Sequence, residues 1–142
     1  RAKKLERMRE RTEFVLTMTN SVIWEANLGS GAITTITGSF EQLFRGEESS
    51  NGKAVSPNTV FKDIIHVEDF QEVVHPDDLP KVNAEYEAIV RGETDHLRLE
   101  YRTHPQLGRV RRIEISGFVR SDDSSRRLVG LATDITHRES FE

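Results

Sequence analysis

His96-Leu97-Arg98-Leu99-Glu100-Tyr101-Arg102-Thr103 alternates apolar and charged side chains without a break. Leu97, Leu99 and Tyr101 fall on one side and Arg98, Glu100 and Arg102 on the other, the pattern of a half-buried antiparallel strand. Pro105-Gln106-Leu107-Gly108 then supplies turn chemistry. A second strand is predicted over about Arg109 to Arg120, with Ile113, Ile115 and Val119 in one phase. Ser121 to Ser125 is a polar turn. A third strand, Arg127 to Ile135, is apolar in both phases through Leu128-Val129-Gly130-Leu131-Ala132, which predicts burial on both faces. The stretch from Asp95 to Thr136 is therefore three strands in succession, and the rest of the chain must cover them.

Immediately upstream, Leu79, Val82, Tyr86, Ile89 and Val90 make a helical stripe that Gly92 ends. His75-Pro76-Asp77-Asp78 opens it: Pro76 stops what precedes, Asp77 is placed to cap, and Asp78 adds negative charge to the first turn. Phe61, Ile64 and Ile65 are expected on one face of a short helix after Ser56-Pro57, and Phe70, Val73 and Val74 on a second. Residues 46–53 are polar and Gly/Ser-rich and read as an exposed loop. Val22 to Asn27 and Ala32 to Thr37 read as a hairpin around Leu28-Gly29-Ser30-Gly31. Ser39 can cap a short helix from Phe40 to Phe44. At the start, Leu5, Met8, Thr12, Val15 and Thr19 recur at spacings of three and four on a strongly charged helix. Such a stripe either pairs with a second copy or covers its own sheet.

The totals exclude several function classes. The chain has 142 residues, a net charge of −4 and no cysteine. That suits one domain without global attraction to nucleic acid or anionic lipid, and without disulfides, thiolate nucleophile or Cys-ligated metal. No apolar run is long enough to span a bilayer. His66, His75, His96, His104 and His137 are scattered, so no metal site is expected. No nucleophile–base pair is evident, and capping accounts for Asp77 and Asp78, so the fragment is read as non-enzymatic.

In order, these elements resemble the PAS domain, the sensor module of many bacterial signalling proteins. The resemblance rests on His75-Pro76-Asp77-Asp78 before the long helix, on Gly130-Leu131-Ala132-Thr133-Asp134-Ile135-Thr136-His137-Arg138 at the end of the last strand, and on Val22-Ile23-Trp24-Glu25-Ala26-Asn27 as the first strand. It implies an α+β fold with a five-stranded antiparallel sheet in the spatial order 2-1-5-4-3. Short helices would enclose a pocket on one face, and the N-terminal amphipathic helix would meet the other. Residues 1–20 would be a dimer or linker helix, 21–138 the sensor domain, and 139–142 the start of an output linker. Trp24, Thr35, Tyr101, Arg111, Ile113, Ile115 and Leu131 are the pocket candidates. Arg111 shares the inner phase but can snorkel outward from a strand end, and a bulge near Gly117 would alter the phase. Asp134, Ile135 and Thr136 are the candidate signal relay, and Leu5, Met8, Thr12 and Val15 the dimer seam.

The implied function is a regulatory module of a histidine kinase or diguanylate cyclase, with a small ligand or partner relaying a change to an output domain in the same chain. A ligand-free dimerisation module is the alternative. The cofactor is left open: thiol-adduct flavin chemistry needs a cysteine, and no histidine lies on the long helix to ligate haem, with His75 just ahead of it. A cytoplasmic homodimer is expected, without nucleic-acid or direct membrane contact, and with the parent protein open to membrane tethering.

Overall fold

The computed structural model describes residues 2–40, 43, 64–122 and 124–136. The elements are α1 (Ala2–Met18), β1 (Ser21–Asn27), β2 (Ala32–Thr37), β3 (Ile64–His66), α2 (Phe70–Val73), α3 (Leu79–Val90), β4 (His96–Arg102), β5 (Arg112–Ser121) and β6 (Arg126–Asp134). All strands join one antiparallel sheet in the order β3-β2-β1-β6-β5-β4. Without the three-residue edge strand β3, this is the expected five-stranded order. The last three strands are consecutive hairpins, and β6 then pairs with β1 in the centre.

The turns follow from side-chain chemistry. Asn27 Oδ1 accepts from the amides of Gly29 and Ser30, which closes the first hairpin. Gly31 completes it at φ +83°, where a Cβ would also lie 2.9 Å from the His66 ring. In the last hairpin, Asp122 Oδ1 accepts from the amides of Ser124 and Ser125. Helix α3 ends with Gly92 in the left-handed region and the amide of Glu93 on the carbonyl of Ala88.

Three expectations change. Ile64 and Ile65 are strand, not helix, and pair with Thr34 and Ile33 of β2; the open edge of β2 gives these β-branched residues a ladder that outweighs a three-residue helical pattern. Phe61, Ser56-Pro57, the loop at 46–53 and His137 lie outside the described residues. Asp77 does not cap α3. Asp78 holds the cap position, but its carboxylate makes no capping bond and instead takes Arg102, at 3.1 Å from Nε and 2.8 Å from Nη2, plus the Arg102 amide. A bidentate charged pair outcompetes a single cap amide. This pairing lowers the Asp78 carboxyl pKa to about 2. Finally, the ladder of β5 with β6 runs unbroken through Gly117; the register irregularity lies at Ile23/Trp24 of β1.

The core sits between the inner sheet face and the helices. Ile113, Leu128, Val73, Val74 and Ile89 are almost wholly buried there. Among the described residues, no element covers the outer face. Phe118 is 53% exposed and Leu131 37% exposed, so the double-sided burial expected of the last strand is not met. Helix α1 leaves Leu5, Met8, Phe14, Val15 and Met18 between 53% and 68% exposed, so its stripe does not cover its own sheet. No helix among the described residues is long and apolar enough to cross a membrane.

Candidate functional site

An apolar cavity of about 60 Å³ lies between the inner sheet face and the helices. Trp24 and Ala26 of β1, Ile33 of β2, Leu97, Leu99 and Tyr101 of β4, Ile115 of β5 and Leu128 and Ala132 of β6 form its sheet side. Phe40, Leu43, Phe70, Val73, Val74, Val82 and Tyr86 close it from the other side. Alternation on five strands and the stripe of α3 bring these residues together.

Trp24 is seated by glycines. Trp24 pairs with Gly130, Gly130 with Gly117, and Gly117 with Leu97, so one row crosses four strands. A Cβ at Gly130 would stand 2.5 Å from Trp24 Cζ2, and one at Gly117 3.3 Å from Cη2. The indole therefore lies flat over two positions where the sheet has no side chains. Phe70 and Tyr86 meet edge to face at 6.1 Å between ring centres.

The lining carries no charged side chain among the described residues. Its polar atoms belong to Trp24, Tyr86 and Tyr101. Burial raises the pKa of both phenols, so both stay protonated at neutral pH. Trp24 Nε1 and Tyr86 Oη are buried and have no hydrogen-bond partner among the described residues.

Of the pocket candidates, Trp24, Tyr101 and Ile115 line the cavity; Thr35, Arg111, Ile113 and Leu131 do not. Leu131 alternates with Gly130 and Ala132 and so faces outward, beside Ile23 and Phe118. Ile113 is fully buried beyond the cavity. Arg111 does not snorkel. It is 7% exposed, and its Nε donates to Asp134 Oδ2 at 2.7 Å. Its charge is thus met by the protein's own carboxylate, so its burial calls for no bound ligand. Tyr86 was not among the candidates. Its signal was a hydroxyl-bearing side chain four residues after Val82 on an otherwise apolar stripe.

The relay candidates form a second constellation. Asp134 Oδ1 accepts from the amide and hydroxyl of Thr136, and the Arg112 amide donates to Thr136 Oγ1. The Ile135 amide donates to the Arg112 carbonyl, and Ile135 is buried. The Asp134 amide donates to the carbonyl of Asn20, a residue at φ +54° just after α1. Ser21 Oγ lies 2.9 Å from both Thr19 Oγ1 and Thr133 Oγ1. The end of α1 and the end of β6 therefore share one hydrogen-bonded joint. Among the described residues, no three His, Cys, Asp or Glu side chains could hold a metal.

A central antiparallel sheet, helices over one face and an apolar cavity between them define an α+β domain of the pocket-bearing kind. Residues 60–132, just over half the chain, match the family model described as PAS fold, and the chain belongs to that family. Solved structures agree on the fold. A sensory box histidine kinase/response regulator from Burkholderia thailandensis is similar at a TM-score of 0.62 and 23% identity, covering 92% of this chain and 88% of that one. The N-terminal domain of a diguanylate cyclase with PAS/PAC sensor from Marinobacter aquaeolei gives 0.59 and 21%, covering 84% and 98%. The PAS domain of a protein from Colwellia psychrerythraea gives 0.57 and 19%, covering 94% and 98%. No curated protein matches the chain.

Proposed function

We propose that this domain is the sensory module of a larger signal-transduction protein, with a histidine kinase or diguanylate cyclase as its output. The observation that carries this reading is the path of β6. Leu128 and Ala132 line the cavity, and Asp134, two residues on, anchors the exit of the strand to Arg111 and to the root of α1. A ligand that favours one packing of the cavity would shift the population of that joint, and the shift would pass through Asp134, Ile135 and Thr136 to the output. The sensor itself is non-catalytic and cytoplasmic on this reading.

On this reading the cavity bounded by the described residues holds neither haem nor a thiol-adduct flavin. Cofactor-sized pockets run to about 300 Å³ and more, well above the cavity's volume. His75 lies outside the lining, and its Nδ1 accepts the Asp77 amide as a structural turn. The test is an absorption spectrum and a native mass of the purified protein, followed by hydrogen exchange at the Ile135 amide. A colourless protein with extra mass, whose removal changes exchange at Ile135, is the expected result. An apo mass with invariant exchange on adding cell metabolite extract would overturn the sensor reading.

A second reading is favoured by the uncovered apolar side chains of α1 and of the outer sheet face. The domain would then be a dimerisation module with Leu5, Met8, Thr12 and Val15 in the seam. Met8→Asp with Val15→Asp, both more than half exposed, should convert dimers to monomers in sedimentation while leaving the far-ultraviolet spectrum unchanged. Dimers that persist would rule that seam out.

A further inference from the structure

Three histidine rings fasten the segment that carries α2, and each does so through the same atom. Nδ1 of His66 accepts the Glu68 amide at 3.2 Å, Nδ1 of His75 the Asp77 amide at 3.1 Å, and Nδ1 of His104 the Gln106 amide at 3.1 Å. A backbone N–H can only donate, so Nδ1 is unprotonated in all three rings. In His66 the assignment is complete, because Nε2 faces the Ser30 carbonyl at 2.8 Å and must be the donor there. The three turns surround α2. Ahead of it, His66 ties the turn Val67–Asp69 to the first hairpin. Behind it, the His75 amide donates to the Arg102 carbonyl and the His104 amide to the Val73 carbonyl, both next to the Val74–Thr103 bridge. The turn that His104 closes also sends Gln106 Nε2 to the Glu72 carbonyl of α2. Phe70, Val73 and Val74, which line the cavity, lie between these fastenings.

A proton on Nδ1 turns the acceptor into a donor that faces another donor. Glu68 Oε1 lies 3.9 Å from Nδ1 of His66, and Asp77 Oδ2 lies 3.9 Å from Nδ1 of His75. Each carboxylate can take an imidazolium that swings off its amide. The other acids nearby are engaged elsewhere, Asp69 by the His66 amide and Asp78 by Arg102. His104 pairs with no carboxylate among the described residues. We propose that the segment 66–75 is an acid-released cover, which His66, His75 and His104 hold over the cavity when neutral and release when protonated. This goes beyond the sensor reading, because the stimulus is the proton and the cavity needs no ligand.

Imidazoles change charge between about pH 5 and about pH 8. The experiment follows the whole chain by NMR between those limits, reading the ring nitrogen shifts and the hydrogen-exchange protection of assigned amides. At the alkaline end all three rings should carry their proton on Nε2. As the rings titrate, protection of the His75 and His104 amides should fall about tenfold or more, while that of the β5–β6 ladder holds. His66→Asn, His75→Asn and His104→Asn together replace each Nδ1 by an oxygen that accepts the same amide and does not titrate. This triple variant should keep its protection at the acid end. If its ladder is unprotected even at the alkaline end, the three single variants make the same comparison, each reducing the acid loss. Protection that stays constant while the rings titrate, a proton on Nδ1 at the alkaline end, or an equal acid loss in the asparagine variants would overturn the proposal. None of these outcomes bears on the ligand test of the sensor reading.

Discussion

Asp134→Leu, Arg111→Met and their combination test whether the Arg111–Asp134 pair holds the exit of the sheet. The two side chains are only 8% and 3% exposed, and Nε lies 2.7 Å from Oδ2. Removing one partner of a buried pair strands the other charge at a cost of about 3–5 kcal/mol. Asp134→Leu should reach that range, because it also deprives the Thr136 amide and hydroxyl of their acceptor. Arg111→Met should cost less, about 1–3 kcal/mol, since Thr136 still solvates the carboxylate. In the double variant no charge is stranded, and an apolar pair of similar volume can match the ion pair, so the loss should fall to about 1–2 kcal/mol. The two single losses together then exceed that of the double by about 2 kcal/mol or more, a sizeable share of a domain stability of about 5–15 kcal/mol. Urea unfolding followed by Trp24 fluorescence, checked by far-ultraviolet circular dichroism, measures all four corners. Simple additivity, or a loss below about 1 kcal/mol for Asp134→Leu, would refute the reasoning.

Three other outcomes are expected. Gly130→Ala places a Cβ against Trp24 and the Ser116 carbonyl and should cost about 1–3 kcal/mol, with a shifted tryptophan emission maximum; an unchanged spectrum would mean that the indole is not seated there. Leu128→Ala, at a side chain 1% exposed, should cost about 2–5 kcal/mol and enlarge the cavity enough for benzene to raise the melting temperature of the variant but not of the wild type. Asp78 has a folded pKa of about 2 against an ordinary 3.8, so its contribution is present above about pH 4 and is lost as pH falls toward 2. Because Arg102 is partly exposed, that contribution is about 1–2 kcal/mol, and Asp78→Asn should trail the wild type by that amount at pH 7 but not at pH 2.

Much of the fold was legible because the strands carry their pattern locally. The alternation of Leu97, Leu99 and Tyr101 and the phase of Ile113 and Ile115 each assign a face without tertiary information. Leu131 was misassigned because β6 is apolar in both phases, and only the pairing of Trp24 with Gly130 shows which phase faces inward. Arg111 was misread because its partner lies 23 residues away, beyond any local window. The same is true of Asp78, whose carboxylate fits a helix cap until Arg102 is brought beside it from β4. Ile64 and Ile65 failed for a related reason: an edge strand is decided by the neighbour it pairs with, which three residues cannot encode.

The glycines of β5 and β6 link these two halves of the molecule. In a sheet interior they weaken the strand, and that loss has to be offset by something packed in the space they leave. Here it is the indole of Trp24, which fills both positions and also lines the cavity. With no side chain between the ring and the strand, any displacement of the indole bears directly on the backbone at Gly130. From Gly130 the same strand runs four residues to Asp134, whose amide and carboxylate are already committed to Asn20, Arg111 and Thr136. A side chain at either glycine position would collide with or crowd the indole and would put deformable atoms between the ring and the strand. On the proposed reading, bare backbone under the tryptophan is therefore what makes β6 a stiff connection between sensing and exit.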